Sequence, residues 1–295
     1  MIAAVRDVHS IGSLTFERRL SDAAQRNDSL LCVGLDPVLD RLPAPLRNMT
    51  DVAEAIVAFN TGIIEATSDL VSVYKPNLAF YLAHGEAGVR ALAETRRRIP
   101  GHIPVLLDAK VGDVGSTAEA YATAYFDTWG FDAVTVNPYL GEDSLAPFLR
   151  RADRGVIVVC KTSNPGSGDL QDLPVSSNEY GASLFLTVAE RATAWSGRWP
   201  ATVGLVVGAT YPRQLSDIRA QCPELPILLP GIGAQAGDLD AAVRAGLDAS
   251  RGGLMASASR SIMFAGNDRG EAWTSGVREA ALELRDAINT VRATL

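Results

Sequence analysis

Short uninterrupted apolar runs punctuate the chain, and most are followed by a longer stretch in which apolar residues return at helical intervals. The runs predict strands at Leu30–Leu35, Leu70–Lys75, Ile103–Lys110, Ala133–Asn137, Gly155–Lys161, Val203–Val207, Pro226–Pro230 and Leu254–Ser257, eight in all. Amphipathic stretches at Val52–Thr67, Gly88–Arg98, Thr117–Trp129, Gly181–Ala194, Pro212–Ala220 and Leu239–Ala245 predict the helices between them. Strands such as VIVV and ILLP show no polar alternation, as expected for a parallel sheet covered on both faces. Eight such units predict an α/β fold, a single (β/α)₈ TIM barrel over residues 1–295. Residues 1–27, with the helical segment TFERRLSDAAQR, are expected to form an N-terminal helical extension over the barrel bottom. Ala265–Leu295 is expected to close the fold as a helical segment, and no linker divides two domains. The runner-up architecture is an open doubly wound sheet. Its dinucleotide fingerprint fails, because Gly231 and Gly233 are followed by a third glycine, Gly237, one place late.

The longest irregular stretch, residues 162–180, is rich in Gly, Ser, Pro, Asn and Asp and directly follows the fifth strand. A loop of that length on the face where barrels keep their sites reads as an active-site lid, the alternative being a tolerated surface insertion.

Charge narrows the ligand classes. Lys and Arg total 27 against 34 Asp and Glu, a formal net charge of −7. That balance argues against nucleic acid, and an anionic substrate would need a local cluster of cations and backbone N–H groups. Cys32, Cys160 and Cys222 are odd in number and far apart, two of them in strand-like runs, which fits buried free thiols in a reducing cytoplasm. The start has no apolar signal core and no run approaches membrane-spanning length, so neither secretion nor membrane insertion is expected.

The segment VLLDAKVGDVGST carries the most chemistry. Side chains alternate along a strand, so Asp108 and Lys110 are expected to point the same way, inward at the top of the third strand, with Asp113 in the following loop. One reading is an ion-pair network that fixes the loop. Against it, desolvation removes most of the benefit of a buried pair, whereas fixed charges in a dry site suit catalysis. Ser116 and Glu119 match the capping-box spacing and are expected to start the next helix. Lys75 ends the second strand and Asp36 the first, so four groups of alternating sign would line one pocket. Gly231 and Gly233 after the seventh strand, with Ser259 and Arg260 after the eighth, form a candidate phosphate grip, although Arg251 competes for the arginine role. No metal site is expected: His9, His84 and His102 are scattered, and neither CxxC, HExxH nor a G-x-S-x-G elbow occurs.

In order along the chain, FERRL, LLCVGLDP, YKPNLAFY, LLDAKVGDVGST, VNPYLGEDSL, VCKTSNPGSGDLQDL, LLPGIGAQAGDL and ASRSIMFA resemble the orotidine 5'-phosphate decarboxylase family in its longer bacterial form. The resemblance implies conversion of orotidine monophosphate to UMP and CO₂, the last step of de novo pyrimidine synthesis, with no metal or organic cofactor. It implies Lys110 as proton donor to C6 of the pyrimidine and Asp108 beside the departing carboxylate. Lys75 would hold Asp108 and a ribose hydroxyl, with Asp36 also on the ribose. Ser163 would contact the pyrimidine edge, and Gln235 and Arg260 the phosphate. Asp113 and Thr117 would reach into the neighbouring subunit's site, making the functional unit a homodimer.

Two other functions compete. One is a Mg²⁺-dependent sugar-phosphate decarboxylase or aldolase of the same superfamily, which keeps D-x-K-x-x-D; some members place a glutamate metal ligand where this chain has Lys75. The other is a non-catalytic barrel that binds pyrimidine nucleotides.

Overall fold

The computed structural model describes residues 14–175, 182–232 and 239–295. Each expected strand forms: β1 Leu31–Gly34, β2 Val73–Lys75, β3 Leu106–Val111, β4 Ala133–Val136, β5 Gly155–Lys161, β6 Thr202–Val207, β7 Ile227–Pro230 and β8 Leu254–Ala258. They form one parallel sheet in the order β2-β1-β8-β7-β6-β5-β4-β3. Bridges pairing Tyr74 with Val105 and Asn77 with Asp108 join its two ends and close the cylinder. The result is a TIM barrel with helices between the strands.

Every strand sends one side chain into the barrel's inner cluster: Cys32, Val73, Leu106, Ala133, Ile157, Val206, Leu228 and Met255. Two residues of the helix Phe16–Arg26, Phe16 and Leu20, complete it from below. Phe16 is fully buried, and a Cβ at Gly155 would lie 2.6 Å from its ring, so the absent side chain there makes room for the plug. Thr15 Oγ1 accepts from Arg18 N (3.2 Å) and fixes the start of this helix. Arg19 then reaches the buried Asp132, which also pairs with Arg96 (3.3 Å) and accepts from Val105 N (2.8 Å). Truncating a buried aromatic of this kind costs about 3–5 kcal/mol. Phe16→Ala is therefore expected to lower Tm by on the order of 10 °C. A thermal melt shifted by less than 2 °C would show that the helix does not seal the barrel.

A larger cluster lies between the sheet and the surrounding helices. The closing helix Trp273–Ala293 packs on the helix Val52–Thr67, where Phe59 stacks between Phe264 (5.7 Å) and Trp273 (5.2 Å). Cys32, Cys160 and Cys222 are buried free thiols. Among the described residues no helix is long and apolar enough to cross a membrane.

Several local expectations are corrected. The helix expected from Thr117 begins at Gly115 and passes at Thr123–Thr128 into a π-helical turn. Ser116 does not cap it: Val114 holds the cap position and no side chain bonds there. Asp113 Oδ1 accepts from Val114 N (2.8 Å), which turns the chain early and leaves Ser116 inside the first turn. Glu119 is free to pair instead with Arg151 (3.2 Å). Strand β3 is also not regular, since its register against β4 shifts between Leu107 and Val111, and Lys110 takes a left-handed φ of +46°. The described part of the loop after β5, residues 162–175, is not structureless, and residues 176–180 lie outside the described residues. It contains a 3₁₀ turn at Pro165–Asp169, and Pro174 pairs with Ser183 just before the helix Leu184–Ser196.

Candidate active site

The C-terminal ends of the strands surround a cavity of about 250 Å³. Asp36 beyond β1, Lys75 on β2, Asp108 on β3, Ser163 beyond β5, and Ser259 with Arg260 beyond β8 all line it. Gly231 lines it beside Pro230. Arg251 lies before β8, at the opposite end of the barrel from Arg260, so only Arg260 faces this space. Gln235 and Gly233 lie outside the described residues.

Asp108 is the hub. It is 8% exposed and its two oxygens take four partners. Lys110 Nζ (2.5 Å) and Thr135 Oγ1 (2.9 Å) donate to Oδ1, while Asn77 Nδ2 (3.1 Å) and Lys75 Nζ (3.5 Å) donate to Oδ2. Burial works against ionisation, but the charges of Lys75 and Lys110, with hydrogen bonds from Lys110 and Thr135, outweigh it and hold the carboxyl down at about 2. Lys75 is 5% exposed, and that burial works against its charge. The charges of Asp36 and Asp108 override that penalty and raise it above the ordinary lysine range. Asp36, 8% exposed, accepts from Asn77 N (3.0 Å). The expected alternation of sign, Asp36, Lys75, Asp108 and Lys110, is thus realised in space, with only Lys110 substantially open to solvent at 45% of its side chain.

Simple strand alternation does not bring Lys110 to Asp108. The chain bulges between them, and Thr135 holds the bulge. Its hydroxyl accepts from Ala109 N (2.9 Å) and Lys110 N (2.8 Å) while donating to Asp108, so its donor and both acceptor sites are used. A left-handed non-glycine residue costs of order 1–3 kcal/mol and persists only where its surroundings hold it. Thr135 supplies that restraint. Sequence reasoning passed it over, and the one signal is a hydroxyl in the otherwise apolar run Ala133–Val136. Asn77 belongs to the site through its bonds to Asp36 and Asp108. Asn137 caps the turn at Tyr139 N (3.1 Å).

Asp113 and Thr117 do not line the cavity of their own chain. Asp113 is half-buried and Thr117 exposed, at the start of the helix Gly115–Ala122. Exposed apolar side chains flank this region: Val114 (51%), Tyr139 (81%) and Leu140 (47%), with Gly112 against Asn137 joining the two loops.

Comparison with known proteins bears on what such a site does. The Orotidine 5'-phosphate decarboxylase / HUMPS family matches residues 29–274. An orotidine 5'-phosphate decarboxylase of Thermomicrobium roseum is 54% identical over 95% of this chain and 96% of its own. One from Roseiflexus castenholzii is 53% identical over 94% and 98%. The solved OMP decarboxylase of Leishmania donovani is 42% identical, covers 95% of this chain and 99% of its own, and superposes with a TM-score of 0.79. A chain from Toxoplasma gondii, 38% identical over 96% and 97%, reaches 0.85. The chain belongs to the orotidine 5'-phosphate decarboxylase / HUMPS family.

Proposed function

We propose that the chain converts orotidine 5'-phosphate to UMP and CO₂, the last step of de novo pyrimidine synthesis, in the cytoplasm and without a metal or organic cofactor. The observation that carries this reading is the Lys110 ammonium held 2.5 Å from a buried, ionised Asp108. Breaking the bond between C6 and the carboxylate leaves an electron pair in an sp² orbital that the ring cannot delocalise. A fixed positive charge beside C6 stabilises that pair, and the same group protonates it, so Lys110 serves both needs. Asp108 lies beside the departing carboxylate and orients Lys110. Lys75 holds Asp108 and a ribose hydroxyl, and Asp36 binds the ribose. Arg260, with Ser259 and Gln235, takes the phosphate, and its guanidinium fork suits phosphate oxygens. Ser163 meets the pyrimidine edge on a loop, residues 162–180, that acts as the lid. Phosphate binding far from C6 would fund closure and keep the charges in place.

The Mg²⁺-dependent sugar-phosphate reading fits less well, because Lys75 puts a buried ammonium beside Asp108 where a divalent cation would need a further anionic ligand. Purified protein is expected to turn over orotidine monophosphate equally well before and after chelation. Decarboxylation or aldol cleavage of sugar phosphates that is lost in EDTA and restored by Mg²⁺ would overturn the assignment.

The active unit we propose is a homodimer in which Asp113 and Thr117 complete the partner's site. Their position outside their own cavity, beside exposed apolar residues, supports it. Lys110→Ala and Asp113→Ala proteins should each be strongly impaired. Equal mixtures, after subunit exchange, should recover about a quarter of wild-type activity, since half of the dimers carry one intact site of two. No recovery in exchanged mixtures would place Asp113 outside the partner's site.

A further inference from the structure

A third lysine near the barrel mouth has no place in the chemistry proposed above. Lys161 ends β5 fully buried, yet it is not among the residues lining the cavity. Its Nζ donates to Ser167 Oγ (3.0 Å) and Asp172 Oδ1 (2.7 Å), and it sits over the Tyr211 ring at 4.9 Å from the centroid, with Phe185 at 5.9 Å. One ammonium therefore ties together the loop after β5, the helix Leu184–Ser196 and the segment after β6. Burying an ammonium is a weak device for stability even when a half-exposed carboxylate such as Asp172 pairs with it, since a well-packed apolar side chain of similar volume often does as well. It is a good device for fixing one arrangement out of several.

What it fixes is the stretch that carries Ser163. Thr162 N donates to Gln171 Oε1 (2.9 Å), and Gln171 Nε2 donates back to Thr162 Oγ1 (2.9 Å), so the loop is clasped across its base. Gly208 N donates to Lys161 O (2.8 Å). A Cβ on Gly208 would lie 2.7 Å from both Ser163 N and Ser163 Cβ, so Ser163 is pressed against bare backbone on the cavity wall. Ser163 is thus held from behind by Gly208 and from the loop side by the Lys161 contacts.

We propose that Lys161 is a positioning residue: through Ser167 and Asp172 it pins the loop so that Ser163 is presented to the pyrimidine of the bound nucleotide. This rests on the decarboxylase reading of the site, but the restraint on the loop is measurable without it.

The test compares Lys161→Met, Ser163→Ala and the double variant by steady-state kinetics on orotidine monophosphate, together with amide hydrogen exchange across residues 162–175. Each single variant is expected to lose about 10–100-fold in kcat/KM, the size of one hydrogen bond to substrate that is lost or misplaced, with KM raised. The double variant should lose little more than either alone, because Lys161 acts through Ser163. Lys161→Arg, which keeps the charge, should recover part of the loss. Losses that add in the double variant, or a Lys161→Met kcat/KM within threefold of wild type, would overturn the proposal. Exchange separates this outcome from failure of the decarboxylase reading: Lys161→Met should deprotect residues 162–175 whatever the substrate, and unchanged protection would defeat the positioning claim outright. Should Lys161→Met not fold, Asp172→Asn breaks the same ion pair from its exposed side and carries the same expectations.

Discussion

Lys110→Ala is expected to fold normally, to bind UMP within about tenfold of wild type, and to lose roughly 10⁴-fold or more in kcat, the combined scale of a lost general acid and a lost electrostatic stabiliser. Normal folding is expected because the lysine side chain is 45% exposed and Asp108 keeps Lys75, Asn77 and Thr135 as partners. Alanine also inherits the left-handed backbone at position 110 at about the same cost as lysine. The split between turnover and affinity matters more than the size of either. A substitution that weakened UMP binding as much as turnover would make Lys110 a binding group rather than the proton donor.

Asp108→Asn should be costly to both activity and stability. Losing the carboxylate removes the group that orients Lys110, for an expected fall of about 10³-fold in kcat. It also leaves the buried Lys75 with one carboxylate neighbour fewer, and breaking a buried pair from one side costs about 3 kcal/mol. The pH dependence has a definite sign. The folded protein holds Asp108 at about 2, below its ordinary 3.8, so the unfolded chain takes up the proton first as pH falls. The resulting stabilisation, about 2 kcal/mol, is fully present above pH 4 and is lost as pH falls from about 4 to 2. Urea melts across that window should show the wild type losing stability faster than Asp108→Asn. Parallel curves would mean that the ion pairs around Asp108 contribute nothing to acid sensitivity.

The barrel was readable in the sequence because its physical cause is one-dimensional. A strand covered on both faces must be apolar throughout, and runs such as VIVV and ILLP announce themselves. The charged quartet was readable for the same reason, since charges stand out at the ends of apolar strands. What escaped was anything decided by a partner distant in the chain. Thr135 acquires its role only because β4 lies beside the bulge in β3, 25 residues earlier at Lys110. The pairing of Asp108 with Lys110 was expected from alternation, yet it is reached through a register shift and a left-handed residue. The capping box at Ser116 failed because Asp113 turned the chain before the motif could act. Lys161 was hidden as the polar end of an apolar run, and its meaning depends on Ser167 and Asp172 in the loop after β5 and on Tyr211 in the segment after β6.

The most direct test of the central claim is the fall in orotidine monophosphate absorbance with purified protein in excess EDTA, run beside Lys110→Ala. The account predicts rapid loss that is indifferent to the chelator and abolished by the substitution. Absence of loss with folded wild-type protein, or equal loss in the variant, would contradict it.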